Sequence, residues 1–408
     1  MPPLRLISIL ILGFSSGLPL ALSGSTLQAW LSVENIDIKT IGLYAIVGMP
    51  YTYKFLWSPL LDYLQPGFLD RRRGWILIMQ LVCAGLLCVM ATLDVHNAWQ
   101  VAAVAMGVAL CSATQDMAID AYRTELLPEE ERGLGAAYYV AGYRVAMLTS
   151  GGLALILAGQ WLGWRGTYFL MGALMVAGAV ATALSPAVSG QTHSNTRGPS
   201  LSEIVKDSTK DFLTKDSAIW ILILIVLYKI GDAFAGSLST AFLLRGLGFT
   251  LTEVGTVNKT VSLVATLGGA FIGGHLMKKM GLFRSLLVFG ILQGLSNLSF
   301  WALSLFPAHV YSMAAAVFVE NLCGGMGTAA FVGLLTTLCS RQFSATQYAL
   351  LSSLAAVGRV YLSAPAGYLV AATSWGTFFL FSTAAAAPGL LLLVYLKKSI
   401  DKLTIHHA

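Results

Sequence analysis

Three observations predict an all-α membrane protein with twelve spanning helices in two matched halves. The 408 residues are 56% hydrophobic and only 11% charged, with a mean hydropathy of +0.74, far from the balance of a water-soluble domain. The apolar runs are about twenty residues long and apolar all round, which fits helices, whereas barrel strands are about ten residues of alternating polarity. Finally, the two halves of the chain echo one another at a nearly constant offset.

The N-terminal stretch MPPLRLISILILGFSSGLPLALSG has a charge and an apolar run but no small-residue cleavage site. It reads as the first spanning helix, 4–31, and not as a signal peptide. Windows of about twenty apolar residues place the others at 40–63, 74–94, 98–120, 134–160, 164–186, 217–244, 252–277, 282–305, 309–338, 345–371 and 374–396. Between the sixth and the seventh lies the polar segment SGQTHSNTRGPSLSEIVKDSTKDFLTKDS. The expected organisation is an N-terminal six-helix bundle over 1–186, a linker over 187–216, a C-terminal bundle over 217–396 and a tail over 397–408. One short amphipathic helix is expected in the linker, around Leu201 to Phe212.

Lysines and arginines fall mostly in alternate loops. Arg5, Arg71, Arg72, Arg73, Arg123, Arg132, Arg197, Lys206, Lys210, Lys215, Lys278, Lys279, Arg284, Arg341, Lys397, Lys398 and Lys402 share one side, and only Lys39, Arg165 and Arg245 the other. The positive-inside rule makes the first side cytoplasmic, with both termini inside. The net charge of +6 thus reports topology, and no nucleic-acid partner is expected. No G-x-x-x-x-G-K-[ST], HExxH or G-x-S-x-G occurs, and the histidines lie mostly in loops, at helix ends or in the tail. Neither ATP-driven pumping nor an intramembrane enzyme has support, and no cofactor or metal is expected. The five cysteines show no CxxC spacing and read as small packing residues.

The repeat is visible in DIKTIGLYAI against TLTEVGTVNK and in GYRVAMLTSGG against VGRVYLSAPAG, with offsets of 213 from Gly42 to Gly255 and 215 from Arg144 to Arg359. Two such bundles related by an axis along the membrane normal are the architecture of the major facilitator fold, with a cavity between them. Its cytoplasmic G-x-x-x-D-R-x-G-R-[KR] loop appears in altered form, with Asp62 kept and the basic cluster displaced to Arg71 through Gly74.

Longer strings are more specific. GFSSGLPLALSGSTLQAW, YKFLWSPLLD, TQDMAIDAY, LPEEERGLGAA, LYKIGDAFAGSL, VGTVNKT, YSMAAAVFVENLCGGMGTAAFVGLL and FSATQYALLS resemble the AmpG-type anhydromuropeptide permeases along essentially the whole chain. That resemblance implies a monomeric, multi-pass protein of the bacterial inner membrane. It would import N-acetylglucosaminyl-1,6-anhydro-N-acetylmuramyl peptides by alternating access, coupled to protons, and would serve peptidoglycan recycling and β-lactamase induction. Longer members continue into two further hydrophobic segments; the twelve-helix core is expected to be whole here. The rival within transport is an acetyl-CoA-type or other organic-anion carrier, whose substrate would need a dense basic patch for its phosphates.

A charge deep in a spanning helix costs at least about 2.5 kcal/mol, so each needs a partner, a wet cavity or a role. The sequence places nine: Lys54, Asp116, Asp120, Arg144, Lys229, Asp232, Lys259, Glu320 and Arg359. Lys229 and Asp232, at i and i+3 around Gly231, form either a structural pair or a substrate-carboxylate site with its resting partner. Lys54 lies about 12 Å of helical rise from Asp62, with Tyr51, Tyr53 and Trp57 nearby, suited to sugar stacking or to plain packing. Glu320 is either satisfied by Lys259 or Lys229, or a proton-coupling acid. Asp120 and Arg123 suit a cytoplasmic gate with Asp62. Asp116 is deeper, has Arg144 of the fifth helix as a candidate partner, and is the better coupling candidate of the two acids. Arg144 and its repeat mate Arg359 suit cross-bundle gating or a grip on carboxylates. The candidate substrate-binding set is Lys54, Tyr51, Gln28, Tyr228, Lys229, Lys259, Arg144, Arg359 and Asn321. The proton-coupling set is Asp116, Glu320 and Asp232, and the gating set is Asp62, Asp120 and Arg123.

Overall fold

The computed structural model describes residues 4–64, 66–127, 132–187, 209–214, 217–339, 344–361 and 364–405. Among the described residues, ten helices are long and apolar enough to cross a bilayer: α1 Leu4–Val33, α3 Arg71–Met90, α4 Ala98–Leu126, α5 Tyr138–Gln160, α6 Gly163–Leu184, α7 Ala218–Gly246, α8 Leu251–Met280, α9 Leu282–Leu303, α10 Val310–Leu338 and α12 Trp375–Tyr395. The second and eleventh apolar runs are broken. α2, over 38–63, alternates α-turns with tighter 3₁₀ turns at Tyr44–Gly48 and Lys54–Leu56. Pro50 and Pro59 each open a fresh α segment within it, because a proline has no N–H for the ladder and its ring clashes with the carbonyl four residues back. α11 comprises Ser344–Tyr361 and Ala366–Ala372, the latter opening at Pro365. A final helix, α13 Lys397–Ile405, follows. Of the amphipathic helix expected around Leu201 to Phe212, residues 209–213 are helical; 201–208 lie outside the described residues.

Local chemistry sets several starts. Asp70 accepts from the Arg73 N–H at 3.1 Å ahead of α3, Asn97 caps α4 and Ser374 caps α12. Thr250 and Glu253 exchange side-chain-to-backbone bonds in a capping box that opens α8.

The chain divides into two compact units: Met1–Ile36, Val47–Thr196 and Thr250–Thr256 in the first, and Asp37–Ile46, Arg197–Phe249 and Val257–Ala408 in the second. The first unit is built on a seam between α1 and α5. A Cβ at Gly13 would strike the Tyr139 carbonyl, and one at Gly142 the Leu10 carbonyl, so the two backbones touch directly. Lipid offers no hydrophobic drive for helix pairing, which makes this close approach the source of the contact. α1 turns at Ser23 and Gly24 after Pro19, which frees the Leu22 carbonyl; Tyr168 Oη donates to it at 2.9 Å. α5 widens into a π-type turn at Thr149–Leu153, and Thr26 Oγ1 donates to the Ser150 carbonyl at 2.6 Å. Both irregularities are thus satisfied within the unit, as a bilayer interior demands. Thr26→Val keeps the shape and removes that donor, with an expected loss of roughly 1–3 kcal/mol, read as a lower midpoint of thermal unfolding in detergent.

At one end of the first unit, Arg72 pairs with Glu125 at 2.8 Å and Tyr122 Oη donates to the Pro186 carbonyl at 2.7 Å. Those contacts tie the neighbouring ends of α3, α4 and α6 together.

The second unit repeats the principle with different helices. A Cβ at Gly269 would strike the Leu322 carbonyl and one at Gly325 the Thr266 carbonyl, which brings α8 against α10. Its core joins Phe289, Phe331, Leu334, Leu338 and Leu393 around Tyr228. Elsewhere in the unit, Phe242, Phe300 and Phe379 interlock, with ring centroids 4.8–6.2 Å apart.

Candidate functional site

Each unit holds a cluster of polar and charged side chains deep within its spanning helices. In the first unit the α1–α5 seam sets the geometry. Gly13 and Gly17 bracket Ser16 and let α5 approach, so Ser16 Oγ lies 2.7 Å from Tyr139 Oη. The same Ser16 hydroxyl donates to Asp116 Oδ1 at 2.5 Å. Asp116 is therefore held by a hydroxyl. The pairing with Arg144 that the sequence allows is not made: the Arg144 side chain is half-buried and has no hydrogen bond or ion pair among the described residues. The helical period accounts for this, because five residues separate Arg144 from Tyr139 and turn it roughly 140° from the face that meets α1.

One turn along α4, Asp120 pairs with Arg123 at 3.2 Å, and the Arg123 guanidinium lies over the Tyr139 ring, 4.7 Å from its centroid, within the range for cation–π attraction. Lys54, on the 3₁₀ turn of α2, is half-buried and lies within electrostatic reach of both Asp116 and Asp120. Tyr51 has its phenolic oxygen enclosed on the same side. Gln115, next to Asp116, is fully buried, and among the described residues neither of its amide atoms has a hydrogen-bond partner. Gln28 is half-buried on α1, on the far side of its turn.

In the second unit, α7 departs from helical geometry at Lys229 itself (φ −99°, ψ 1°). The departure does not fall at Gly231, two residues on, which is within the helix that resumes at Ile230. Gly231 instead packs tightly, since a Cβ there would meet the Ser382 carbonyl and Ala386. Lys229 Nζ lies 3.5 Å from Asp232 Oδ2, donates to Thr328 Oγ1 at 3.1 Å and lies over Phe331, 6.0 Å from its centroid. Glu320 Oε2 accepts from Asn321 Nδ2 at 2.6 Å, and Thr266 Oγ1 bonds Asn321 Oδ1 at 3.2 Å. Glu320 thus takes its hydrogen bond from the neighbouring amide, with Lys229 and Asp232 as electrostatic neighbours and not in direct contact. Tyr228 is buried, stacked on Phe331 at 5.5 Å, and its hydroxyl is committed to the Leu286 carbonyl at 2.8 Å. The side chains of Asp62, Lys259 and Arg359 lie outside the described residues.

Sequence reasoning missed Ser16, Tyr139 and Thr328. The signal for the first two was the coincidence of glycine pairs and hydroxyls in GFSSG and AAYYVAG; Thr328 carried none. Among the described residues no group of His, Cys, Asp and Glu could hold a metal.

A helical membrane protein with a polar cluster inside each unit is the form of a solute carrier, and the family model for the Major Facilitator Superfamily matches residues 7–360. The chain belongs to that superfamily. It is 55% identical over 395 residues to the anhydromuropeptide permease of Escherichia coli strain K12, covering 96% of this chain and 80% of that protein. It is also 34% identical to a putative transporter, AmpG 4, of Rickettsia felis, covering 97% of each. Among solved structures it is similar to the nucleoside transporter NupG (TM-score 0.73, 12% identity, 96% of this chain and 99% of that one). A D-xylose–proton symporter is similar too (TM-score 0.67, 13% identity, 95% and 96%). Those two likenesses concern the fold alone.

Proposed function

We propose that this protein imports N-acetylglucosaminyl-1,6-anhydro-N-acetylmuramyl peptides across the bacterial inner membrane by alternating access, driven by protons, for peptidoglycan recycling and the induction of β-lactamase. The substrate class rests on the 55% identity to the Escherichia coli permease. One observation supports proton coupling above the others: Asp116 lies in a spanning helix with a serine hydroxyl as its hydrogen-bond partner. A hydroxyl can donate to a carboxylate and accept from a carboxylic acid, so the site suits both protonation states. Glu320, whose carboxylate accepts from the Asn321 amide, is a second candidate coupling acid. Lys229, with Asp232 as resting partner, is the anchor for a substrate carboxylate, and Lys54, Arg144, Lys259 and Arg359 are the further cations of the binding set. Tyr51, Gln28 and Asn321 complete it, while Tyr228 positions Phe331 beside Lys229. Asp62, Asp120 and Arg123 form the gate, the termini face the cytoplasm, and the carrier acts as a monomer.

In proteoliposomes, labelled anhydromuropeptide should accumulate when an inward proton gradient is imposed, and a protonophore should abolish the accumulation. Excess acetyl-CoA should not compete. Accumulation that ignores the gradient, or that acetyl-CoA suppresses, would sink this reading.

A further inference from the structure

We propose that Ser16 and Tyr139 are positioning residues for proton transfer, forming a hydroxyl relay that carries protons between Asp116 and water beside the more exposed Asp120. This deepens the function proposed above and rests on its assignment of Asp116 as a coupling acid. The geometry is continuous at the inner end: Ser16 Oγ to Asp116 Oδ1 is 2.5 Å, and Ser16 Oγ to Tyr139 Oη is 2.7 Å. At the outer end, Arg123 lies over the Tyr139 ring while paired with Asp120, whose carboxylate is within electrostatic reach of the same tyrosine. Half of the Asp120 side chain is exposed, at 51%, whereas Asp116 is less exposed and Ser16 is buried.

Each hydroxyl has one proton to give and lone pairs to receive, which permits the chain to run in either direction. With Asp116 ionised, Tyr139 donates to Ser16 and Ser16 donates to Asp116. A proton delivered by water beside Asp120 adds to Tyr139 Oη as the phenolic proton passes to Ser16 Oγ and the serine proton passes to Asp116 Oδ1. One O–H bond forms at Asp116, one breaks in the donor, and both hydroxyls are regenerated with their hydrogen bonds reversed. Release runs the same steps backwards.

The other neighbours of Asp116 do not offer this route. Lys54 and Tyr51 of α2 face it, as does Cys83 of α3. Tyr143 of α5 lies near Tyr139, and Gln115 on α4 is sealed from solvent. Lys54 supplies charge without a hydrogen bond to either acid. The Gly13 contact that presses α5 on α1 is what keeps the two hydroxyls within bonding distance.

Tyr139→Phe and Ser16→Ala separate this role from a structural one when the full chain is reconstituted and two modes are compared. Gradient-driven uptake needs protonation in each cycle, whereas counterflow of labelled against unlabelled substrate at equal pH does not. Both variants should lose at least about tenfold in the maximal rate of gradient-driven uptake, with a flattened dependence on the pH of the cytoplasmic side, where Asp120 lies. Counterflow should stay within about twofold of wild type at an unchanged KM, which also shows that the variants are folded. Variants that accumulate substrate with the wild-type pH profile overturn the relay and leave the transport assignment standing. Equal loss in both modes also overturns it, by marking the pair as structural. A wild-type chain that fails to accumulate substrate under the gradient removes the transport assignment, and the relay with it.

Discussion

Lys229→Met is expected to reduce anhydromuropeptide uptake about a hundredfold, equivalent to roughly 2–3 kcal/mol of lost binding. Three contacts converge on this ammonium: Asp232 at 3.5 Å, Thr328 at 3.1 Å and the Phe331 ring. In the proposed role a substrate carboxylate takes the place of the first, and the other two hold Nζ in place. Removing the lysine also leaves Asp232 without its cation inside a spanning helix, which is costly in its own right. A second substitution separates the two effects. Lys229→Met with Asp232→Asn should regain the folded yield lost by the single variant, because no lone charge remains, yet should not regain uptake. Recovery of uptake in the double variant would show that the lysine serves structure only.

Gly142→Leu should be the most damaging change in the first unit. The Leu10 carbonyl occupies the position of a Cβ at Gly142, and the Tyr139 carbonyl does the same at Gly13, so any side chain must separate α1 from α5. Overpacking of this kind costs roughly 1–3 kcal/mol or more, and bilayer helices have no hydrophobic drive to offset it. The separation would also pull Tyr139 away from Ser16. The expected results are a lowered unfolding midpoint in detergent and loss of gradient-driven uptake. Gly274→Ala is the matched control: nothing lies within 4 Å of its added methyl group, and both properties should stay at wild-type levels. Equal behaviour of the two variants would refute the seam.

Much of this architecture was legible because a bilayer imposes blunt rules. Run length and apolarity located α1, α3 to α10 and α12, and the cost of buried charge reduced the search for a site to nine residues. The finer geometry was not legible, for identifiable reasons. Pro50 and Pro59 sit in a run whose mean hydropathy hides two backbone breaks. The π-type turn at Thr149–Leu153 has no composition of its own, since Thr26 on another helix satisfies it. Charge alone offered Arg144 as a partner for Asp116, whereas helical phase gave it to Ser16 through a contact that depends on glycine backbones. Charge marks which residues need explanation, but a neutral hydroxyl carries no such flag.

The allotment of 250–256 to the first unit and of 37–46 to the second bears on biogenesis. A ribosome that has just finished the linker has not yet made the strip that completes the unit begun at the N-terminus, and the unit begun at the C-terminal side needs a strip inserted long before. Fragments cut in the linker and expressed separately would each carry a piece grouped with the other, and their co-expression is expected to yield more folded protein than either fragment alone.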